Sequence, residues 1–177
     1  MEKIATERLV LRLATLEDAP FILELYNTPD FLQFVGDKKL RTKCDARDYI
    51  EQNILKMHSE KGVCLLIVET KIDAIPLGVC GLIKREQLDA YDIGYGFLPD
   101  VYGQGYGYEA SMGVINYAKQ RGDIEELVAI TTSDNIPSQR LLNKLGFTYI
   151  KLQNKISDTI ELLLYQLKLI DDETSPQ

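Results

Sequence analysis

The chain has 177 residues, 45% of them hydrophobic and 27% charged, and its 20 Lys and Arg against 27 Asp and Glu leave a net charge of −7. That is the length and composition of one globular domain, able to bury about 70% of its unfolded surface without a disulfide or a metal. An acidic chain is a poor nucleic-acid binder, since that task needs basic surface to neutralise phosphates, and the longest apolar run, 63–68, is far too short to span a membrane.

The opening residues, MEKIATER over 1–8, hold no apolar segment, so no signal peptide is expected. Residues 9–13 (LVLRL) read as a first strand. Thr15 with Asp18 three residues later resembles a capping box. It starts a helix to about Asn27 that carries Ala19, Ile22, Leu23 and Tyr26 on one face. Thr28, Pro29 and Asp30 end it. Residues 31–41 read as a loop or short helix with exposed aromatics, Phe31 and Phe34. Thr42 and Asp45 repeat the capping signal for a helix to about Lys61, with Ala46, Tyr49, Ile50, Ile54 and Met57 at helical spacing.

Strands follow at 63–69, 76–83 and 92–98, joined by short links as antiparallel neighbours are. A glycine-rich stretch at 102–108 leads into a helix to about Arg121, which Gly122 stops. A strand at 127–131 precedes a helix capped by Ser133 or Asn135, running through Lys144 and ended by Gly146. Strands at 147–152 and 160–169 complete a seven-stranded count. The order β-α-α-β-β-β-α-β-α-β-β is a mixed α/β (α+β) arrangement and not a regular βαβ repeat. No linker divides the chain, so one domain is expected over 1–170, with a flexible acidic tail over 171–177. The three cysteines, Cys44, Cys64 and Cys80, are odd in number and lack a CxxC pair, which suits a reducing cytoplasm. The single histidine, His58, has no Cys or His beside it, so no metal site is expected.

A strand, a glycine turn and a helix together make an anion site. The first helical N–H groups have no internal partner, and the helix dipole adds about half a positive charge there. Gly103, Gly105 and Gly107 let the backbone approach a phosphate closely. A P-loop is excluded, because no Lys and Ser or Thr follow the turn. A Rossmann turn would place its third glycine at Tyr108, and the preceding strands read as antiparallel. Two readings remain from the turn alone: a cradle for the diphosphate of coenzyme A, or a plain link between strand and helix.

The turn has company. The run YGQGYGYEA over 102–110 resembles the acyl-CoA loop of the GNAT acetyltransferases. NIPS over 135–138 and KLGF over 144–147 are similar to that superfamily's second motif. TERLVLR over 6–12, TLED over 15–18 and DIGY over 92–95 resemble the branch of the ribosomal-protein N-terminal acetyltransferases. The resemblance covers about 4–169. It implies a mostly antiparallel sheet of seven strands, flanked by helices and splayed between the fourth and fifth (92–98 and 127–131). It implies acetyl-CoA as acyl donor, with its pantetheine arm beside Phe97 and Leu98 and its pyrophosphate on Tyr102, Gly103, Gln104, Gly105, Tyr106, Gly107 and Tyr108. Asn135 and Ser138 would approach the pantetheine and the thioester sulfur. Many GNAT enzymes carry a Tyr general acid five residues before the phenylalanine of the second motif; Leu142 stands there in this chain.

Acetylating an amine needs its neutral form, and the thioester is already activated, so no covalent enzyme intermediate is required. By alignment with an acidic residue of related enzymes, Asp92 is the expected base, acting through water, with Glu161 second. Ser138 is the expected donor to the departing thiolate. Residues 27–41, with Phe31, Phe34 and Tyr26, would line an acceptor pocket, or Phe31 and Phe34 would pin their loop to the core. The expected activity is direct acetyl transfer from acetyl-CoA to a primary amine, a protein N-terminus or a small molecule. No metal, nucleic acid or membrane is involved, and the chain acts as a monomer or homodimer. A catalytically silent acyl-CoA-binding module and a nucleotide-binding regulatory domain are the alternatives.

Overall fold

The structure, a computed structural model, describes residues 3–152 and 161–169; the acidic tail at 171–177 lies outside them. Strands β1 (Lys3–Ala5) and β2 (Leu9–Arg12) form a hairpin. Helices α1 (Ala19–Tyr26), α2 (Pro29–Phe34), α3 (Lys43–Tyr49) and α4 (Lys56–Lys61) follow. The next strands are β3 (Leu65–Thr70), β4 (Pro76–Ile83) and β5 (Tyr91–Phe97). Then come α5 (Tyr106–Arg121), β6 (Glu126–Thr132), α6 (Ile136–Lys144), β7 (Thr148–Leu152) and β8 (Leu162–Lys168). The strands form one sheet in the order β1-β2-β3-β4-β5-β6-β8-β7. Every neighbouring pair is antiparallel except β5 with β6.

The sheet has eight strands where seven were expected. The addition is β1, three residues whose side chains are mostly exposed, too short to establish a strand period. The capping signals fall where expected. Thr42 Oγ1 accepts from Asp45 N–H at 3.1 Å and Asp45 accepts in return from Thr42 N–H at 2.8 Å. Asp18 accepts from Thr15 N–H at 2.7 Å, opening a short 3-10 turn ahead of α1. The long helix expected to reach Lys61 is interrupted, because a wide π-helical turn at Ile50–Leu55 joins α3 to α4. Phe31 is not exposed: its ring stacks on Tyr26 at 4.1 Å between centroids and it is 7% exposed.

The core lies on both faces of β3, β4 and β5. A side chain on Gly96 would meet the Phe31 ring at 3.5 Å, and one on Gly107 would meet Phe97 at 3.6 Å. The α2 layer and the α5 layer therefore cover opposite faces of β5. Alternation along that strand puts Asp92, Gly94 and Gly96 toward α2, and Tyr95 and Phe97 toward α5 and α6.

One ion network joins strand to helix across this core. Arg12 donates to Asp18 from both terminal nitrogens, at 2.9 and 2.8 Å, and to Glu69 from Nε at 2.7 Å. Burial would raise the Asp18 carboxyl, yet Arg12 and Thr15 hold it below its ordinary value. Both carboxylates are nearly enclosed, so removing their shared cation strands two buried charges. Arg12→Leu is expected to cost about 3 kcal/mol, read as the loss of unfolding free energy in urea.

Candidate functional site

Strands β5 and β6 pair at two positions only, Tyr91 with Leu127 and Asp92 with Val128. Beyond Asp92 each strand keeps its other neighbour. β5 stays on β4 as far as Phe97 opposite Gly78, and β6 stays on β8 as far as Thr132 opposite Leu162. The sheet thus opens between them, as expected. A cavity of about 410 Å³ lies at the opening. Its walls are Tyr95, Gly96 and Phe97 of β5, residues of α2 including Asp30, Phe31 and Phe34, the turn before α5, and Asn135, Ser138 and Leu141 at α6.

The glycine turn is built for close backbone approach. Gly103 and Gly105 have φ of +75° and +82°, the left-handed region that disfavours side chains. No atom lies within 4 Å of where a Cβ on Gly103 would sit. Helix α5 starts at Tyr106, so its first free N–H groups stand at the cavity. A clamp from the far end of the chain holds this turn. Glu109 accepts from Thr6 Oγ1 at 2.6 Å, from Arg8 N–H at 2.7 Å and from Arg8 Nε at 2.6 Å. Arg8 also donates to the Gln104 carbonyl at 3.0 Å and lies 4.5 Å from the Tyr106 ring centre.

Of the expected donor-binding residues, Phe97, Tyr102, Gly103, Gly105, Tyr106, Gly107, Asn135 and Ser138 line the cavity. Three do not. The Leu98 N–H is already donated to the Leu77 carbonyl at 2.9 Å. Gln104 bonds back to the Asp100 carbonyl at 3.1 Å. Tyr108 faces a second groove with Thr6 and Arg8, and Lys144 Nζ sits 4.5 Å from its ring centre. Burial and the adjacent Asp30 carboxylate push the Tyr102 phenol up to about 12.

Asn135, and not Ser133, caps α6: its Oδ1 accepts from Ser138 N–H at 3.2 Å. Ser138 Oγ lies 2.8 Å from the phenol oxygen of Tyr95. Leu142 is fully buried, one residue past the cavity-lining Leu141. Sequence reasoning passed over Tyr95, although the alternation that sets Phe97 toward the opening sets Tyr95 there too.

Asp92 is elsewhere. It is 2% exposed, at the closed end of the opening, with Arg85 Nε 2.6 Å from its Oδ2. Burial pushes its carboxyl up to about 6, against the pull of Arg85. Along the same strand face, the space over Gly94 is filled by Ile83 and Leu65 and that over Gly96 is met by Phe31. Asp92 does not line the cavity. Glu161 is exposed just before β8 and is likewise outside it.

A model of the acetyltransferase (GNAT) domain matches residues 8–148. The chain is 31% identical over 150 residues to an uncharacterized N-acetyltransferase p20 of Bacillus licheniformis, covering 83% of each. Among solved structures, an acetyltransferase of Salmonella typhimurium described as modifying the N-terminal serine of 50S ribosomal subunit protein L7/L12 matches with a TM-score of 0.80 at 20% identity. The match spans 96% of this chain and 100% of that one. RimL, a ribosomal L7/L12 alpha-N-protein acetyltransferase in complex with coenzyme A, matches with a TM-score of 0.82 at 19% identity over 94% and 98%. At these identities the structural matches speak to the fold.

The enclosed Asp92 carboxyl makes a pH prediction. Its ordinary value is 3.8 and its folded value about 6, so the folded chain holds this proton more tightly than the unfolded chain. The group's contribution to stability is full below the ordinary value and is lost as pH rises through about 6. The loss amounts to about 3 kcal/mol at most. In urea unfolding series at about pH 4 and about pH 7, Asp92→Asn should gain on the wild type by roughly 2 kcal/mol as the pH rises.

Proposed function

The chain belongs to the GNAT acetyltransferase family, and we propose that it moves acetyl from acetyl-CoA directly to a primary amine while both are bound. The observation that carries this reading is the cavity at the opening of the sheet. It joins the glycine turn, the unpaired edge of β5 and the aromatic wall of α2. The diphosphate would rest on the main-chain N–H groups between Gly103 and Gly107, where the helix dipole favours an anion. The pantetheine amides would meet the free edge of β5 near Phe97, with Asn135 opposite. The acceptor would enter from the side of Asp30, Phe31 and Phe34.

The neutral amine nitrogen forms its bond to the thioester carbon as the C–S bond breaks with its electron pair leaving on sulfur, and the proton that the nitrogen sheds on becoming an amide passes to solvent water. The acceptor we favour is an N-terminal α-amine. Its pKa of about 7.8 leaves on the order of a tenth of it neutral at pH 7, against about one lysine side chain in a few thousand. Aromatic walls favour the neutral form further by withholding solvation from the ammonium. The two L7/L12-modifying proteins of like fold agree with a peptide acceptor. Asp92 touches no amine in this scheme, and a proton reaches it only through water. Ser138, whose hydroxyl borders the cavity, donates a hydrogen bond to the departing sulfur.

Thiol release from acetyl-CoA, measured against peptides with free or blocked first residues and against small amines, tests the activity. Free N-termini should be turned over fastest; release with no member of the panel would leave a binding module. Gly105→Val tests the cradle, because a β-branched residue at a φ of +82° is strained and its Cβ falls 3.4 Å from Arg8. Calorimetric titration should show coenzyme A affinity falling at least about tenfold, in line with the loss of one or two charge-assisted hydrogen bonds. Unchanged affinity in a folded variant would move the diphosphate elsewhere.

A further inference from the structure

The phenol of Tyr95 and the hydroxyl of Ser138 meet across the opening, from β5 and from the first turn of α6. They are 43 residues apart in sequence and their oxygens are 2.8 Å apart in space. Both residues line the cavity. Each hydroxyl has one proton to give, and the surroundings decide which way the bond runs. The Tyr95 proton has two acceptors in reach, Ser138 Oγ at 2.8 Å and the Ser138 carbonyl at 3.5 Å. The first is an ordinary O–H···O distance and the second is too long for a good one. If Ser138 donated to Tyr95, the phenol would be left with only the poor contact, in a place largely shut off from water. That costs about 1–3 kcal/mol. A bond that runs from Tyr95 to Ser138 avoids that cost.

The proton of Ser138 is then free, and its hydroxyl makes no bond to the backbone of the turn before it among the described residues. What borders that hydroxyl on the open side is the cavity. We propose that Tyr95 is the positioning residue for Ser138: by donating to Ser138 Oγ it turns the serine proton toward the sulfur of the acyl donor. The inference rests on the role given to Ser138 above.

Tyr95 transfers no proton in this scheme. Burial, the largest influence, pushes its phenol well above its ordinary value. A thiolate whose acid has a pKa of about 8.5 is too weak a base to deprotonate a phenol of about 10 or above. The phenol thus remains a donor throughout the working pH range. The pair contributes two hydrogen bonds in series, one fixed and one formed as negative charge gathers on sulfur. Preorganised donors of this kind act without reorganising during the reaction.

The test uses Tyr95→Phe, Ser138→Ala and the double variant of the full chain, with two readouts. The first is the titration of the thiol of bound coenzyme A, followed by thiolate absorbance in the ultraviolet, which needs no acceptor. In the wild type the bound thiol should titrate about one pH unit below free coenzyme A, the equivalent of a tenfold preference for thiolate. In Tyr95→Phe and in Ser138→Ala it should return toward the free value. The second is thiol release with the best amine. Tyr95→Phe should lower kcat about tenfold and leave KM for acetyl-CoA within twofold, and it should cost less than twofold when Ser138 is already alanine. A purely structural tyrosine would lower both backgrounds alike. Titration of Tyr95→Phe like the wild type, or equal losses in both backgrounds, overturns the proposal. If no amine is turned over but the bound thiol shifts as described, the amine reading falls and the positioning role stands.

Discussion

The constraint on which the rest depends is the short parallel pairing of β5 with β6, two residue pairs long. Parallel neighbours cannot be joined by a tight turn; they need a crossover, here the glycine turn and α5. A crossover helix must begin near the carboxyl end of the first strand. That is also the end at which β5 and β6 part, so the electropositive terminus of α5 and the gap in the sheet arise at the same place. Were the pairing continued by a few more residues, the edge of β5 would be filled by β6. The cavity between Phe97 and Ser138 would then have no room to exist.

The glycine turn needs support that it cannot supply itself. Residues 102–108 carry no Lys or Arg, and two of their glycines sit in the left-handed region. Their shape is set from the other end of the chain, where Thr6 and Arg8 meet Glu109 across more than a hundred residues. Gly113 brings α5 against the same hairpin, since a Cβ there would lie 3.0 Å from Thr6 and 3.2 Å from Ile4. The small strand β1 is thus a buttress for the turn, and the Arg12 network ties its partner β2 to the start of α1 and to β3.

How much of this can be read from the sequence depends on how local each cause is. The caps at Thr42 and Asn135, the glycine turn and the antiparallel run β3 to β5 are fixed by residues a few positions apart. They are legible for that reason. Strand β1 is not, because three residues cannot show a period, and the residues just after it, Thr6 and Arg8, are held by Glu109, far along the chain. The π-helical turn within the second long helix leaves the apolar spacing of Ala46, Ile50 and Ile54 nearly helical, so nothing announces it. For Asp92 the resemblance to related enzymes suggested chemistry, but its neighbourhood is set by Arg85, Ile83 and Leu65, and by which face of β5 each position takes. Tyr95 is hidden for another reason. An aromatic in a strand reads as core, and only the meeting with Ser138 of α6 gives its hydroxyl a partner.

The two faces of β5 therefore divide the chemistry. On the α2 face the Asp92 carboxylate is enclosed beside Arg85 and separated from the cavity by packed side chains. On the α5 and α6 face two neutral hydroxyls meet at the cavity wall, the serine hydroxyl on its open side and the phenol behind it. An amine attacking an activated thioester asks little of an enzyme beyond a neutral nucleophile and a place for departing charge. In the proposed reaction the aromatic side chains of α2 would favour the first by limiting solvation of the ammonium form, and neutral donors would supply the second without themselves being ionised. A tyrosine on the usual α6 position would have to reach the sulfur alone. Here the side chain at that position is a buried leucine, Leu142, and the phenol arrives instead from the strand, one hydroxyl removed. A phenol in this position need not be acidic to be useful: the higher burial drives its pKa, the more firmly it stays a donor, and the better it holds Ser138 pointed into the cavity.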